Sequence, residues 1–206
     1  MILSRRHQFI FIANLKTAST SIENSLAPHA DIHLKTTKCG KHMSMSEVDD
    51  LILTKWPKRF LGDTAKLFRF GVMREPLSYV TSIYNSHTKK AFRGAPHYTG
   101  DKTFEEFLER VLVPKKRWQL RDQHRKFSDV NGRPIVDFII RYENFHDDFQ
   151  HAMNEIGLAV KLPHSNKSPK KLRSSKINTT SRHFIEESYK SDYEFYESYA
   201  GKLGLR

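Results

Sequence analysis

A short polar segment near the start of the chain has the composition of a phosphate-binding turn. Residues 16–21 read KTASTS and come soon after the apolar run 9–13. If a strand ends there and a helix begins at 19, backbone N–H groups and the positive end of the helix dipole meet at the turn, where anions bind. The lysine adds charge, the hydroxyls add donors, and the small Ala18 lets a phosphate approach. The first glycine and the GK[ST] ending of a Walker loop are missing, so ATP or GTP hydrolysis is the weaker interpretation, and a merely polar turn is the alternative.

A second segment combines an arginine with a hydroxyl. Arg74 follows the strand-like run 68–72, and Ser82 lies eight residues later, beyond Pro76 at the start of a helical pattern. A guanidinium group binds phosphate through two parallel hydrogen bonds, and a nearby hydroxyl can complete the contact. Ligands of open α/β sheets bind at the carboxyl ends of the strands. Both segments therefore predict phosphate sites at one sheet edge, and a single ligand with two phosphate groups would fill both.

The rest of the sequence predicts the elements that position these segments. Short runs of aromatic and β-branched residues predict buried strands at 8–13, 68–72 and 135–142. Helical spacing, with a capping box at Thr103 and Glu106, predicts helices at 19–26, 77–86, 103–112, 145–156 and 181–201. The alternation of strands and helices favours an α/β fold with a central parallel sheet flanked by helices.

Composition sets the broad class. The 206 residues carry 35 Lys and Arg against 23 Asp and Glu, a formal charge of +12, which predicts an anionic partner. The length predicts a single domain over 1–206. One cysteine, Cys39, excludes an intrachain disulfide and a zinc-binding thiolate cluster. The longest apolar run near the start is about five residues, against the ~20 of a membrane-spanning helix, and we expect a cytoplasmic protein.

Together the two phosphate segments resemble a known family, the sulfotransferases that use 3′-phosphoadenosine 5′-phosphosulfate (PAPS). The likeness is to the carbohydrate branch related to the heparan sulfate 2-O-sulfotransferases, sulfotransferase family 2. Residues 16–21 are similar to the family's 5′-phosphosulfate loop, and the REP…S-x-Y pattern at 74–84 is similar to its 3′-phosphate motif. The likeness continues through TFEEFL, VDFIIRYENF, LPHSN and DYEFYESY. It implies a P-loop-like three-layer fold and a bacterial, cytoplasmic member of the family.

The resemblance implies a role for each matching residue. The 5′-phosphosulfate would be held by Lys16, Thr17, Ala18, Ser19, Thr20 and Ser21. Lys16 would also stabilise charge on the bridging oxygen as sulfate leaves, and Arg74 with Ser82 would hold the 3′-phosphate. A basic loop that closes over the nucleotide in the family is matched more loosely by Arg173, Ser174, Ser175 and Lys176. The wider segment 156–185 contains seven Lys and Arg and no acidic residue, a local charge suited to an anionic ligand, and a solvated, partly disordered loop is the alternative. PAPS is the implied donor, without a metal.

His42 is the predicted general base. It lies between the two phosphate segments, where related carbohydrate sulfotransferases carry their catalytic histidine, and an unperturbed imidazole has a pKa of about 6.5. Gly40 and Ser44 stand where the nearest animal relatives have a paired histidine, and a surface histidine without function is the alternative. Glu143 is a second candidate, for which capping of the next helix or pairing with Arg141 is the alternative.

The acceptor is predicted only by class, as a carbohydrate or glycolipid, including acidic ones. Contacts to it could come from Arg93, His97 and Tyr98, or from the basic, aromatic run 115–124, for which a charged helix face is the alternative. Two other functions stay open: a P-loop-type small-molecule kinase, and a basic nucleic-acid-binding module without catalysis. A relative that binds the nucleotide without transferring sulfate is a third. Nucleotide binding without magnesium would separate a sulfotransferase from a kinase.

Overall fold

In the computed structural model, five strands form one sheet. The structure describes residues 1–35, 41–95, 98–112, 122–161 and 172–206, with the backbone alone at 111 and 112. The strands are β1 (Ile2–Ser4), β2 (Phe9–Ile12), β3 (Ile32–His33), β4 (Phe68–Met73) and β5 (Phe138–Arg141), in the order β3-β1-β2-β4-β5. β2 pairs in parallel with β4, and β4 with β5, whereas β1 is antiparallel to both β2 and β3. Among the described strands, β1 alone runs against the others.

The predicted α/β class with a mostly parallel central sheet is confirmed. The predicted strands at 8–13, 68–72 and 135–142 are β2, β4 and β5. The sequence did not predict β1 and β3, which are only three and two residues long. Segments this short contain no periodicity that a pattern search could recognise.

The α-helices within the described residues are α1 (Ser19–Leu26), α2 (Met45–Val48), α3 (Lys58–Leu61), α4 (Pro76–Ser86), α5 (Phe104–Leu112), α6 (Phe145–Glu155), α7 (Thr179–Ser188) and α8 (Lys190–Tyr199). The capping box before α5 is confirmed: the Thr103 N–H donates to Glu106 Oε2 over 2.8 Å, and the Glu106 N–H donates to Thr103 Oγ1 over 3.1 Å. The helix predicted over 181–201 is instead two helices, α7 and α8, with a break at Tyr189. No helix in the described part of the chain has the length and apolar character needed to cross a bilayer.

Apolar side chains cover both faces of the sheet, because successive residues of a strand point to opposite sides. On one face, residues of β2, β4 and β5 pack with α1 and α6; this cluster includes Phe9, Phe11, Phe70, Ile140, Ile22 and Phe149. On the other face, the alternate strand residues pack with α2 and later segments; this cluster includes Ile10, Ile12, Ile139, Met45, Val48 and Phe127. The two clusters fix the ends of β2, β4 and β5, from which the candidate site is built.

The chain divides into two compact units, each assembled from segments that are separate in sequence. The first unit comprises Met1–Arg74, Gln123–Ser165 and Phe195–Arg206 and contains the sheet. The second comprises Glu75–Asp122 and Asn166–Glu194, and within it α7 contacts both α4 and α5. The single domain expected over 1–206 stays a prediction.

Candidate active site

The turn between β2 and α1 has a strained backbone. Lys16 and Ala18 adopt left-handed conformations, with φ of 61° and 56°. Glycine adopts this conformation freely, whereas other residues do so at a cost of about 1–2 kcal/mol each. Strain of this kind persists where the surrounding structure enforces it, and it concentrates at functional sites. The backbone thus marks the predicted phosphate segment as a candidate site.

The N-terminus of α1 begins at this turn without a side-chain cap. Ala18 occupies the N-cap position, where Ser, Thr, Asp or Asn would accept a hydrogen bond from the helix, and its methyl group cannot do so. The first turn of α1 contains no acidic residue. The first N–H groups of a helix have no acceptor within the helix, and the dipole gives them partial positive charge. A bound anion would satisfy both the hydrogen bonds and the charge.

The hydroxyl groups of the turn differ in their exposure. Thr17 is fully buried, and its Oγ1 donates to the carbonyl of Asn14 over 3.1 Å. This bond supports the turn itself, so contact between Thr17 and a ligand would use its backbone N–H. Ser19 and Ser21 are buried, whereas Thr20 is exposed. The ligand contacts of all four residues stay predictions.

Two buried amide side chains tie this turn to the end of β4. Asn14 Nδ2 donates to the Val72 carbonyl over 3.3 Å and to Gln123 Oε1 over 3.1 Å. Gln123 also accepts a hydrogen bond from the Arg74 N–H at 3.1 Å and donates to the Arg74 carbonyl at 2.8 Å. Sequence reasoning missed Asn14, and it named Gln123 only as part of the run 115–124 offered for acceptor contacts. No local signal could have found the pair, because the two residues are 109 positions apart. They hold the turn and Arg74 in a fixed arrangement.

The side chain of Arg74 reaches the same turn. Its Nη1 donates to the Lys16 carbonyl over 3.3 Å, and its guanidinium carbon lies 4.1 Å from the centre of the Tyr142 ring. Arg74 Nε lies 4.0 Å from Glu143 Oε1, and the Tyr196 hydroxyl donates to Glu143 Oε2 over 2.8 Å. Stacking on the ring and the carboxylate together orient the guanidinium plane. The two positive residues predicted for phosphate binding are thus in hydrogen-bond contact.

His42 is hydrogen-bonded to the residue that follows β2. Its Nδ1 lies 3.0 Å from the Ala13 carbonyl, and since a carbonyl can only accept, Nδ1 carries the hydrogen and Nε2 is the basic nitrogen of the neutral ring. Burial lowers the pKa of His42, and the charges of Lys126 and Lys41 lower it further. The hydrogen bond to Ala13 and the carboxylate of Glu23 oppose this effect without reversing it. The ring is therefore neutral at pH 7 and can accept a proton.

The other predicted nucleotide contacts lie in the second unit. Ser82 is partly buried on α4. One turn later, Asn85 donates through Nδ2 to the Leu172 carbonyl at 2.7 Å and accepts from the Leu172 N–H at 2.8 Å. Leu172 directly precedes the predicted basic loop, in which Ser174–Lys176 form one 3₁₀ turn. The exposed residues of this loop are Arg173, Ser175 and Lys176. Asn85 therefore joins the helix that carries Ser82 to the start of the loop.

The predicted acceptor contacts are only partly described. His97, residues 115–121 and the LPHSN segment at 162–166 lie outside the described residues. Arg93 is exposed and Tyr98 is partly buried. Arg141, considered as a partner for Glu143, forms a two-pronged pair with Asp148 at 2.8 Å for each hydrogen bond. Across the described residues, no group of three or more His, Cys, Asp or Glu side chains is placed to hold a metal ion.

Comparison with known proteins gives a match at the level of the family. A family model described as the sulfotransferase family matches residues 1–200. The matched range includes both phosphate segments, His42 and the basic loop at 173–176. No curated protein and no solved structure matched the chain.

Proposed function

Because the chain belongs to the sulfotransferase family, we propose that it transfers a sulfuryl group from PAPS to a hydroxyl of a carbohydrate or glycolipid acceptor. The family assignment supports sulfuryl transfer in general, and the donor, the acceptor class and the residue roles are the proposal. One observation carries it. Three groups meet at the turn between β2 and α1: the N-terminus of α1, which has no side-chain cap, the Arg74 guanidinium and the neutral His42 ring. Hydrogen bonds join Arg74 to the Lys16 carbonyl and His42 to the Ala13 carbonyl.

The β2–α1 turn would bind the 5′-phosphosulfate. The N–H groups of the first turn of α1, the exposed Thr20 hydroxyl and the Lys16 ammonium would supply hydrogen bonds and charge. Arg74, oriented by the Tyr142 ring, would grip the 3′-phosphate with its planar fork. The roles of Ser82 and of residues 173–176 in nucleotide binding stay predictions from the resemblance.

The transfer step assigns His42 and Lys16 separate tasks. His42 Nε2 would accept the proton of the acceptor hydroxyl as its oxygen bonds to sulfur. In the same step the bond between sulfur and the bridging phosphate oxygen breaks. Lys16 and the N–H groups of α1 would stabilise the negative charge that develops on the departing adenosine 3′,5′-bisphosphate.

Calorimetric titration tests the donor site, with adenosine 3′,5′-bisphosphate, 5′-AMP and ATP in the presence and absence of magnesium. The bisphosphate should bind at least about tenfold more tightly than 5′-AMP, because hydrogen bonds to a charged group contribute about 1.5–3 kcal/mol. Lys16→Ala should weaken binding of adenosine 3′,5′-bisphosphate and of 5′-AMP. Arg74→Ala should remove the preference for the bisphosphate over 5′-AMP. The control is Lys35→Ala, which removes an exposed lysine and should bind like the wild type. Magnesium-dependent binding of ATP without binding of the bisphosphate would favour a kinase and contradict the proposal.

A transfer assay tests the base. With radiolabelled PAPS and a panel of carbohydrates and glycolipids, His42→Ala should keep its affinity for adenosine 3′,5′-bisphosphate and lose transfer. His183→Ala, which removes an exposed histidine on α7, should retain transfer. Retained turnover in His42→Ala would remove His42 from the role of base. Nucleotide binding by the wild type without transfer to any acceptor would favour a binding protein over an enzyme.

A further inference from the structure

A lysine that the sequence did not mark reaches the first turn of α1. Lys41 Nζ lies 2.5 Å from Glu23 Oε2 and donates to Thr20 Oγ1 over 3.0 Å. Glu23 belongs to α1 and is 2% exposed, whereas the Lys41 side chain is 25% exposed. The ammonium group thus joins a buried carboxylate to an exposed hydroxyl of the predicted phosphate turn.

The buried carboxylate explains why Lys41 has a fixed position. A surface lysine has about 2 kcal/mol of rotamer entropy, which must be lost before its ammonium can bind a ligand at one place. A carboxylate withdrawn from water needs a positive partner, because an unpaired buried charge is strongly unfavourable. Two other nitrogen groups lie farther from the carboxylate: the Met1 amino group, 3.7 Å from Glu23 Oε1, and His33 Nε2, 4.0 Å from it. Burial lowers the pKa of both groups, so neither replaces the Lys41 ammonium as the charged partner of Glu23. Glu23 therefore holds the Lys41 ammonium beside the turn before any ligand arrives.

The hydrogen bond to Thr20 has a directional consequence. An ammonium group only donates, so Thr20 Oγ1 is the acceptor and its own hydrogen must point elsewhere. Thr20 is exposed in the first turn of α1, where the N–H groups attract anions. Lys41 thereby leaves the Thr20 hydroxyl to act as a donor towards a bound anion.

We propose that Lys41 is a second cation of the β2–α1 turn, which binds the 5′-phosphate group of the nucleotide beside Thr20 and is positioned by the buried Glu23. This inference deepens the proposed function and rests on it. It adds a positive charge from outside the KTASTS segment, on the residue directly before His42. In this proposal Lys41 binds the 5′-phosphate group, and Lys16 also stabilises the charge that develops as sulfate leaves.

A paired substitution tests the inference without leaving a buried charge unpaired. Lys41→Gln alone isolates the Glu23 carboxylate and risks unfolding, so the decisive comparison is Glu23→Gln against the double variant Glu23→Gln/Lys41→Gln. Both lack the buried carboxylate, and they differ only at position 41. The double variant should bind adenosine 3′,5′-bisphosphate about tenfold more weakly than the wild type, as expected for the loss of one charged hydrogen bond. Glu23→Gln, in which Lys41 keeps its charge but loses the carboxylate that positions it, should bind with an affinity between the two. Urea unfolding and circular dichroism should show that both variants are folded.

The outcomes separate this inference from the proposed function. If the wild type does not bind adenosine 3′,5′-bisphosphate, the proposed function fails. If the wild type binds it and both variants bind it as tightly as the wild type does, Lys41 serves only to neutralise Glu23 and this inference is overturned. If both variants are folded and bind it equally, about tenfold more weakly than the wild type, Lys41 contributes only where Glu23 holds it, which supports the inference. Lys35→Gln, which removes an exposed lysine of the same charge, should leave the affinity unchanged and is the control for net charge. A loss of affinity in Lys35→Gln as large as in the double variant would also overturn the inference.

Discussion

Two helices of the molecule each follow a strand of the parallel pair β2 and β4, and their N-termini are completed in opposite ways. At α1 the N-cap residue is Ala18, which has no side chain to accept a hydrogen bond. At α4 the N-cap residue is Glu75, whose carboxylate accepts from the N–H groups of Leu77 at 3.1 Å and Ser78 at 2.7 Å. The N-terminus of α4 therefore has a negatively charged cap from its own chain, whereas the N-terminus of α1 has no side-chain cap.

The difference shows where a helix dipole can act on a ligand. The N–H groups of α4 are already occupied by Glu75, which also accepts a hydrogen bond from the Tyr193 hydroxyl at 2.9 Å. A phosphate near the start of that helix would meet a carboxylate instead of a positive dipole. The arginine that precedes Glu75 must then supply the attraction itself. At α1, by contrast, the proposed function has the backbone N–H groups attract the phosphate together with Lys16.

The strongest test of this comparison gives α1 the carboxylate that α4 has. Ala18→Asp should weaken binding of adenosine 3′,5′-bisphosphate by at least about 100-fold, since placing like charges together costs several kcal/mol. The free energy of unfolding should stay equal or rise slightly, because the helix gains an acceptor at its N-terminus. Calorimetry and urea unfolding measure the two quantities. Ala18→Asn, which has the same shape without the charge, is the matched control, and an equal loss of affinity there would show a steric effect instead.

The next largest effect is expected at Arg74. Arg74→Lys keeps the charge but loses the planar guanidinium group and its stacking on Tyr142. Binding of adenosine 3′,5′-bisphosphate should therefore weaken by about tenfold. Affinity for 5′-AMP should change by no more than about twofold, because the variant keeps the positive charge near the turn. Both are read by calorimetry. An equal loss for the two ligands would mean that Arg74 acts by holding the Lys16 carbonyl and does not bind the 3′-phosphate.

At α4 the comparison predicts an effect on stability and none on binding. Glu75→Ala removes the acceptor of two backbone N–H groups and of the Tyr193 hydroxyl, and it should lower the free energy of unfolding by at least about 1 kcal/mol. Affinity for adenosine 3′,5′-bisphosphate should not fall. Glu109→Ala, at an exposed position of α5, is the control for loss of one acidic residue and should be nearly neutral in urea unfolding. A folded Glu75→Ala protein with strongly reduced affinity would contradict a purely structural role for Glu75.

The smallest expected effect is the titration of His42. Its pKa should lie below about 6.5, and Lys126→Met should raise it, because burial and Lys126 both disfavour the charged ring. The folded pKa is lower than the unfolded one, so the unfolded chain takes up the proton first as the pH falls. This contribution to stability is therefore complete above pH ~6.5 and is lost as the pH falls towards the folded pKa. NMR titration, with His42→Asn to assign the signal, measures the pKa, and a value at or above ~6.5 would be inconsistent with the described environment.

Local pattern was enough for the elements that carry the site. Short apolar runs predicted β2, β4 and β5, and the Lys-Thr-Ala-Ser-Thr-Ser segment predicted the turn between β2 and α1, because each signal lies within a few residues. The left-handed backbone at Lys16 and Ala18 was not predictable, since neither residue type favours it.

Contacts between distant parts of the chain could not be predicted. The hydrogen bond between Asn14 and Gln123, and the one between Lys41 and Thr20, join residues that no local pattern connects. The break between α7 and α8 at Tyr189 was also missed; this residue is 1% exposed, so packing overrides a continuous helical pattern there. The site therefore combines a turn that the sequence predicts with supporting side chains that only the fold identifies.

A crystal structure of the protein with adenosine 3′,5′-bisphosphate tests the central claim most directly. The account predicts the 5′-phosphate at the β2–α1 turn, within hydrogen-bond distance of the first N–H groups of α1 and of Lys16, with the Arg74 guanidinium on the 3′-phosphate. A complex with the 5′-phosphate away from that turn, or with the open N-terminus of α1 contacting only solvent, would contradict it.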